Sequence, residues 1–484
     1  MATPEELCRL TATQAVALLR AGEVSPLDLV EAAAARIEAT DGAVNALPIR
    51  FLDVAREEAK RFPASSRAMA GREERPGWLA GLPIAIKDYN DVGGQLTTYG
   101  SPIFAHNIAP EDDITVATLR ASGAIPIAKS NVPEFAGSNT FNPVWGATRN
   151  PWDLRMSAGG SSGGAAAALA AGQVWLANGS CLGGSLRIPA SFCGIVGLRP
   201  SPGVVPRGVG LPPFDTLWVE GPMGRCVADV ALLLDAQAAQ SPRDPLSRPA
   251  PAVSFTAALG KRRPPRRIGF SADLGLSRVD PEVAAICREG AARFAAMGTA
   301  VEEAAPDFSG AIETFQTQRA VLFAALRGEL LERERARIAP DIVWNIEKGL
   351  RLTADEVVRA ERNRAALYHR VAAFFETYDL LACPTVAVPP FPVEQPYPTE
   401  IGGVRLTTYI DWMCLAFVVT LTGCPAISVP CGFTRAGLPV GLQLVGRPHG
   451  DAELLGMAQL LEEATGLAAR VPREPAAAAM SQGA

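Results

Sequence analysis

The chain has 484 residues, 48% hydrophobic and 20% charged, with 45 Lys and Arg against 50 Asp and Glu and a net charge of −5. That composition describes a globular protein of one large α/β unit or two to three domains, and the charge balance leaves no basic footprint for nucleic acid. Nine cysteines, an odd number with no C-x-x-C spacing, exclude a zinc ribbon or a thioredoxin-type motif and suit a reducing compartment.

The first six residues are acidic and lack the basic and apolar regions of a signal peptide, so a cytoplasmic location is expected. Leu10–Ala21 and Ser25–Ala39 read as amphipathic helices, the second opened by Ser25 as N-cap and Pro26 at the first helical position. Phe51–Phe62 reads as a third. Leu82–Ile86 is a short apolar strand, Thr115–Ser122 a helix and Ala124–Ala128 another strand. Residues 137–164 then turn polar and rich in Gly, Ser and Asn, the composition of a loop that carries a site. An alanine-rich helix, Ala165–Ala171, and a strand, Val174–Ala177, lead into a second Gly/Ser loop, Asn178–Ser185.

Residues 236–266 read as a Pro/Arg-rich surface connection. Ile268–Phe270, Leu380–Pro384, Ala426–Pro430 and Val440–Val445 are late strands, and Pro281–Met297, Phe308–Arg337 and Ala354–Thr377 are helices. Trp412–Cys431 has the length of a membrane span, but Thr422, Gly423 and Pro425 break it. It reads as a buried helix, a turn and a core strand, and no membrane partner is expected. Short apolar strands interleaved with helices indicate an α/β fold with a mostly buried sheet.

Two Gly/Ser loops carry the chemical interest. Gly159-Gly160-Ser161-Ser162-Gly163-Gly164 runs into a helix but lacks the Lys-Ser/Thr ending of a P-loop. It contains G-x-S-x-G, the nucleophile elbow of α/β-hydrolases, but no buried strand is expected before it, since Asn150–Ala158 holds Pro151, Asp153 and Arg155. A plain structural loop is the third reading. The chain has five lysines, and Lys87 ends the apolar run Leu82–Ile86. A lysine held there is desolvated and its pKa falls, which would let the neutral amine serve as a base, although most lysines after a strand reach to water.

These residues match a family. The run Gly159–Ala168, the run Gly183-Gly-Ser-Leu-Arg-Ile-Pro-Ala-Ser-Phe-Cys-Gly-Ile-Val-Gly-Leu-Arg-Pro200 and the 24-residue spacing from Ser161 to Ser185 resemble the amidase signature family. Gly81–Asp88, Lys129–Phe135, Asn150–Asp153, Gly221-Pro222-Met223 and Pro439–Gln443 extend the resemblance over nearly the whole chain. It implies a single large α/β/α domain, a twisted mixed sheet with helices on both faces. Residues 1–70 would be an N-terminal helical segment packed on the core, 71–470 the catalytic domain and 471–484 a disordered tail.

The resemblance also implies an amidase that hydrolyses a linear amide or lactam through a serine acyl-enzyme. Ser185 matches the nucleophile, Ser161 the bridging serine after a cis peptide bond, and Lys87 the general base. The backbone N–H groups of Leu182, Gly183, Gly184 and Ser185 would form the oxyanion hole. Phe135, Ser138, Asn139 and Cys181 are candidate substrate contacts; the stretches Glu134–Phe141 and Tyr397–Trp412 are candidate lining, and the aromatics Phe135, Phe141, Trp145, Tyr409 and Trp412 would suit an apolar or aryl acyl group. No metal or cofactor is expected; the partner is a small-molecule amide, and a homodimer stays open. Asp88, alternating away from Lys87, is left out of the catalytic set, and Ser162 is either a helix N-cap or a partner of the triad.

One departure stands out. Where most members carry Asp four residues before the nucleophile, this chain has Cys181. It reads as a small buried residue under the oxyanion loop, with no histidine in the sequence to serve it as a base and the family's base beside Ser161 and Ser185 instead. Two other functions remain open. One is the glutamine-hydrolysing subunit of a tRNA-dependent amidotransferase, against which Ile188 stands where the Gln associated with that subunit would be. The other is a degenerate, non-catalytic binding protein.

Overall fold

The computed structural model describes residues 2–62, 75–208, 210 and 212–476. Among them eleven strands form one sheet: β1 (Ile49–Arg50), β2 (Pro83–Lys87), β3 (Ile125–Ser130), β4 (Leu176–Cys181), β5 (Val196–Arg199), β6 (Val219–Gly224), β7 (Arg267–Phe270), β8 (Ala300–Glu303), β9 (Leu380–Pro384), β10 (Ala426–Phe433) and β11 (Pro439–Val445). Their spatial order is β1-β3-β2-β4-β6-β5-β10-β11-β9-β7-β8. The sheet is mixed. β3, β2 and β4 run parallel, as do β9, β7 and β8, while the strands between them pair antiparallel.

The pleat explains why these strands carry unbroken apolar runs. In β9, Leu380 and Ala382 enter one hydrophobic cluster while Leu381 and Cys383 enter another. In β10, Ala426 joins the second and Ile427 and Val429 the first. Successive side chains point to opposite faces of a strand, so both faces are covered here. The Asp451–Thr465 helix buries Leu454, Leu455 and Leu461 on one face, and the Cys414–Thr420 helix buries Leu415, Phe417 and Val418 on the other.

The N-terminal helices pack on the β2–β3 side. Ser25 caps Pro26–Val44 through a reciprocal pair with Asp28, and Asn45 closes it with φ 56°. That helix runs five residues beyond the predicted Ala39, where Thr40, Asp41 and Val44 are also buried and Val44 shares a core with Ile84 and Ile127. The predicted boundary between residues 70 and 71 lies outside the described residues. So do residues 477–484 of the predicted disordered tail, whereas 471–476 pack on the domain. There the Arg473 N–H donates to the Ala170 carbonyl at 2.8 Å, and Glu474 meets Arg36 at 2.7 Å.

The apolar stretch of membrane length is a seven-residue helix, Cys414–Thr420, a turn, and β10. Among the described residues no helix is long and apolar enough to cross a membrane. No buried strand precedes the first Gly/Ser loop, as expected: Asp153–Ser157 is a part-exposed strand paired with Arg149–Asn150 in a small hairpin outside the main sheet. One reading needs correction. The loop predicted from Asn178 begins later, because Asn178 to Cys181 complete β4 between β2 and β6.

Candidate active site

Lys87 is the last residue of β2 and is fully buried. Its backbone N–H donates to Asn178 Oδ1 at 2.8 Å, which fixes the strand end against β4. Its Nζ donates to Ser161 Oγ at 2.8 Å, to Ser180 Oγ at 3.0 Å and more weakly to the Ser180 carbonyl at 3.4 Å. All three partners are neutral. Burial therefore lowers the lysine's pKa from its ordinary value to about 7, with Glu220 and Cys181 opposing the fall.

The Gly160–Ser161 peptide bond is cis. Gly160 is required there sterically: a Cβ would lie 2.3 Å from the Ser138 carbonyl and 2.8 Å from Asn139 Cα. The two Gly/Ser loops are laced together, the Ser162 N–H donating to the Ser185 carbonyl at 3.3 Å. The Ser162 hydroxyl makes no helix cap; it donates at 3.4 Å to the Ser180 carbonyl that Lys87 also meets. Ser185 is half-buried at the turn entering the Arg187–Cys193 helix.

Gly184 sits at φ 135°, where a side chain would also collide with Ala416 and Ile188 at 2.7 Å. Its N–H is not free for an oxyanion: it donates to Cys181 Sγ at 3.2 Å. Cys181 is itself fully buried, with no face open to a substrate. Arg187 Nη2 approaches the sulfur at 3.5 Å, and Arg199 donates to the Cys181 carbonyl at 2.8 Å. Burial alone would push the thiol's pKa up, but Arg187 and Arg199 together outweigh it and bring it down to about 6. Both arginines are fully buried; Arg187 is also held by Gln443 and by Thr420 Oγ1 at 3.1 Å.

Asp88 turns away from Lys87 and pairs with Lys129 at 3.2 Å. A cavity of about 340 Å³ lies beside the lysine, bordered by Tyr89, whose ring centroid is 5.7 Å from Lys87 Nζ. Phe135 lines it, in a left-handed backbone conformation with φ 44°. Ser138 is half-buried, and Asn139 donates to the Pro396 carbonyl at 2.6 Å. Tyr409 and Trp412 are packed in the core instead, Trp412 against Phe192 and Phe391. Phe141 is exposed, and Trp145 is tied to Thr98 Oγ1 at 3.1 Å.

Two residues at the site were not singled out from sequence, Ser180 and Glu220. They face each other across the β4–β6 pair. A carboxylate in the otherwise uncharged strand Val219–Gly224 was the available signal for Glu220.

The model of the amidase family matches residues 28–455. The chain belongs to the amidase signature family. It is 36% identical over 464 residues to an acylamidase of Rhodococcus erythropolis, covering 95% of this chain and 96% of that one. It is also 36% identical over 486 residues to a glutamyl-tRNA(Gln) amidotransferase subunit of Moorella thermoacetica, covering 95% and 97%. The crystal structure of a bacterial aryl acylamidase of the amidase signature family superposes with a TM-score of 0.86 at 27% identity, covering 95% of this chain and 98% of that one. This family member is accordingly a hydrolase of carbon–nitrogen bonds in amides.

Proposed function

We propose that the protein hydrolyses a small carboxamide through an acyl-enzyme on Ser185, with Ser161 and Lys87 as its proton relay. The observation that carries this reading is the 2.8 Å contact between a fully buried lysine amine and Ser161 Oγ, with no carboxylate bonded to the amine among the described residues. Neutral Lys87 accepts the Ser161 proton, and Ser161 Oγ accepts that of Ser185. Ser185 Oγ then forms a bond to the amide carbon, and the C–O π electrons move onto the oxygen. As the tetrahedral intermediate collapses, the C–N bond breaks and the relay returns the proton to the departing amine. Water repeats the sequence and releases the carboxylic acid. Backbone N–H groups at Leu182, Gly183 and Ser185 are the candidate oxyanion donors, since Cys181 engages that of Gly184.

The likeness to the amidotransferase protein supports a second reading, in which glutamine is the amide hydrolysed and partner chains are needed. A fluorophosphonate adduct mapped by mass spectrometry, together with a screen of amides on the isolated chain, tests both. The expected result is an adduct on Ser185 and turnover of amides without partners. Absence of any serine adduct would overturn the acyl-enzyme. Hydrolysis confined to glutamine and dependent on partner chains would establish the second reading.

A further inference from the structure

The cavity beside Lys87 has walls of a definite chemistry. Tyr89, Tyr99, Phe104, Phe135 and Trp218 line it, with Tyr99 and Phe104 edge to face at 5.2 Å and Tyr89 tilted on Trp218 at 5.6 Å. Rings arranged this way offer negative π faces to a cation. Among them stand three carboxyl groups. Two have their hydrogen bonds: Asp91 accepts from the Tyr99 hydroxyl at 3.0 Å, and Asp113 accepts from Asn90 at 2.8 Å and from the Val116 N–H at 2.9 Å. The third is Glu220, only 3% exposed, whose Oε1 accepts from Trp218 Nε1 at 3.0 Å. Its Oε2 is buried and completes no hydrogen bond of ordinary geometry among the described residues, although the Asn90 amide and the Lys87 amine both act on the carboxyl and oppose the rise in its pKa that burial causes.

A buried carboxyl oxygen without a donor costs free energy, and a charged donor repays that cost better than a neutral one. Two basic groups face them, Arg327 and the Lys87 amine that acts on Glu220. Arg327 lies on the same wall, its guanidinium 4.7 Å from the Phe135 ring centroid. Burial raises the pKa of Glu220 to about 7 and that of Asp113 to about 6, so the wall holds carboxyl groups that a bound cation would draw into their charged form; with Lys87 as a neutral amine, three carboxyl groups against one guanidinium disfavour a carboxylate ligand and favour a cation.

Resting on the amidase reading above, we infer that this cavity receives an ammonium group carried by the substrate, with Glu220 Oε2 as its acceptor and the surrounding rings as its walls. The preferred substrates are thus amino-substituted amides rather than plain alkyl amides. The residue that selects them lies on β6, across the strand pair from Ser180, and takes no part in bond breaking.

Binding can be measured apart from turnover. Calorimetry on the full-length Ser185→Ala protein would compare 3-aminopropanamide through 6-aminohexanamide, each with the alkanamide of equal length. At one chain length or more the amino-amide should bind at least tenfold more tightly, and Glu220→Gln introduced into the same protein should abolish that difference. Equal or tighter binding of the plain alkanamide at every length would overturn the inference, as would a preference that survives in a folded Glu220→Gln protein. If Glu220→Gln does not fold, the paired ligands on the Ser185→Ala protein still decide. Because no hydrolysis is needed, a failed acyl-enzyme assay and a failed ligand preference are separate results.

Discussion

Lys87 and Lys129 sit on neighbouring parallel strands, both with no exposed surface, yet they meet opposite surroundings. Lys129 reaches a carboxylate, Asp88 at 3.2 Å, and completes its bonds with the Asn90 carbonyl at 2.8 Å and Thr97 Oγ1 at 2.6 Å. Lys87 reaches hydroxyls and a carbonyl. A buried ammonium is costly unless an anion compensates it. The paired lysine therefore ties β3 to the loop after β2. The unpaired one is free to exist as an amine, which is what a base must be. Burial alone does not distinguish a structural lysine from a catalytic one; the partner does.

The largest effects should follow from breaking the amine's side of this comparison. Lys87→Ala and Ser185→Ala should each lower kcat by at least ~1000-fold, and the double variant should be little worse than either, because the residues act as a unit. Lys129→Ala should act on stability instead. It leaves Asp88 buried without its cation and should cost about 3–5 kcal/mol in denaturant unfolding, with kcat per folded molecule much less affected. A Lys129→Ala enzyme that stays stable but loses kcat as deeply as Lys87→Ala would erase the distinction.

The same contrast sets the pH dependence. Lys87 must be neutral to accept a proton, and burial brings its pKa down to about 7. Below that value the amine is protonated and idle; above it the amine is available. Thus kcat/KM for an uncharged amide should rise with pH through an apparent pKa near 7, well below the free lysine value of ~10.4. A profile that rises only near the free value would show that the amine is not desolvated in the working enzyme.

Much of this was legible in the sequence, for identifiable reasons. Lys87 follows a run that only a buried strand explains, and the Gly/Ser loops with their spacing carried the resemblance. What was missed lies where tertiary contacts override local composition. Asn178, Gly179 and Ser180 are turn-type residues, yet they form β4 because β2 and β6 flank them and Asn178 caps Lys87. Val219–Gly224 contains two glycines and a proline, residues that weaken strands, and it passes unnoticed along with Glu220. The Pro340–Arg351 helix is not among the expected elements, although its Ile342 and Ile346 are buried. The guanidinium pair around Cys181 could not be read locally, since Arg199 arrives from a different strand.

Cys181 gives the finest test, because it is the anionic counterpart to the lysine comparison. The sulfur lies between the Gly184 N–H and the Arg187 guanidinium, and it stands where most family members carry a carboxylate. With its pKa brought down to about 6 by Arg187 and Arg199, the thiol can supply negative charge to the two buried arginines. It cannot be the nucleophile, since it is fully buried and its partners are guanidinium and backbone rather than a base. Cys181→Ala should therefore keep kcat/KM within about tenfold of wild type and lose about 1–3 kcal/mol of stability, the usual cost of orphaning a buried donor. Cys181→Asp should recover part of that stability, because a carboxylate restores the charge and accepts more strongly. Thermal unfolding of the three proteins and mass spectrometry of the trapped adduct provide the readout. An Asp variant no more stable than the Ala variant would show that charge is not what Cys181 contributes, and an adduct on Cys181 in place of Ser185 would move the nucleophile itself.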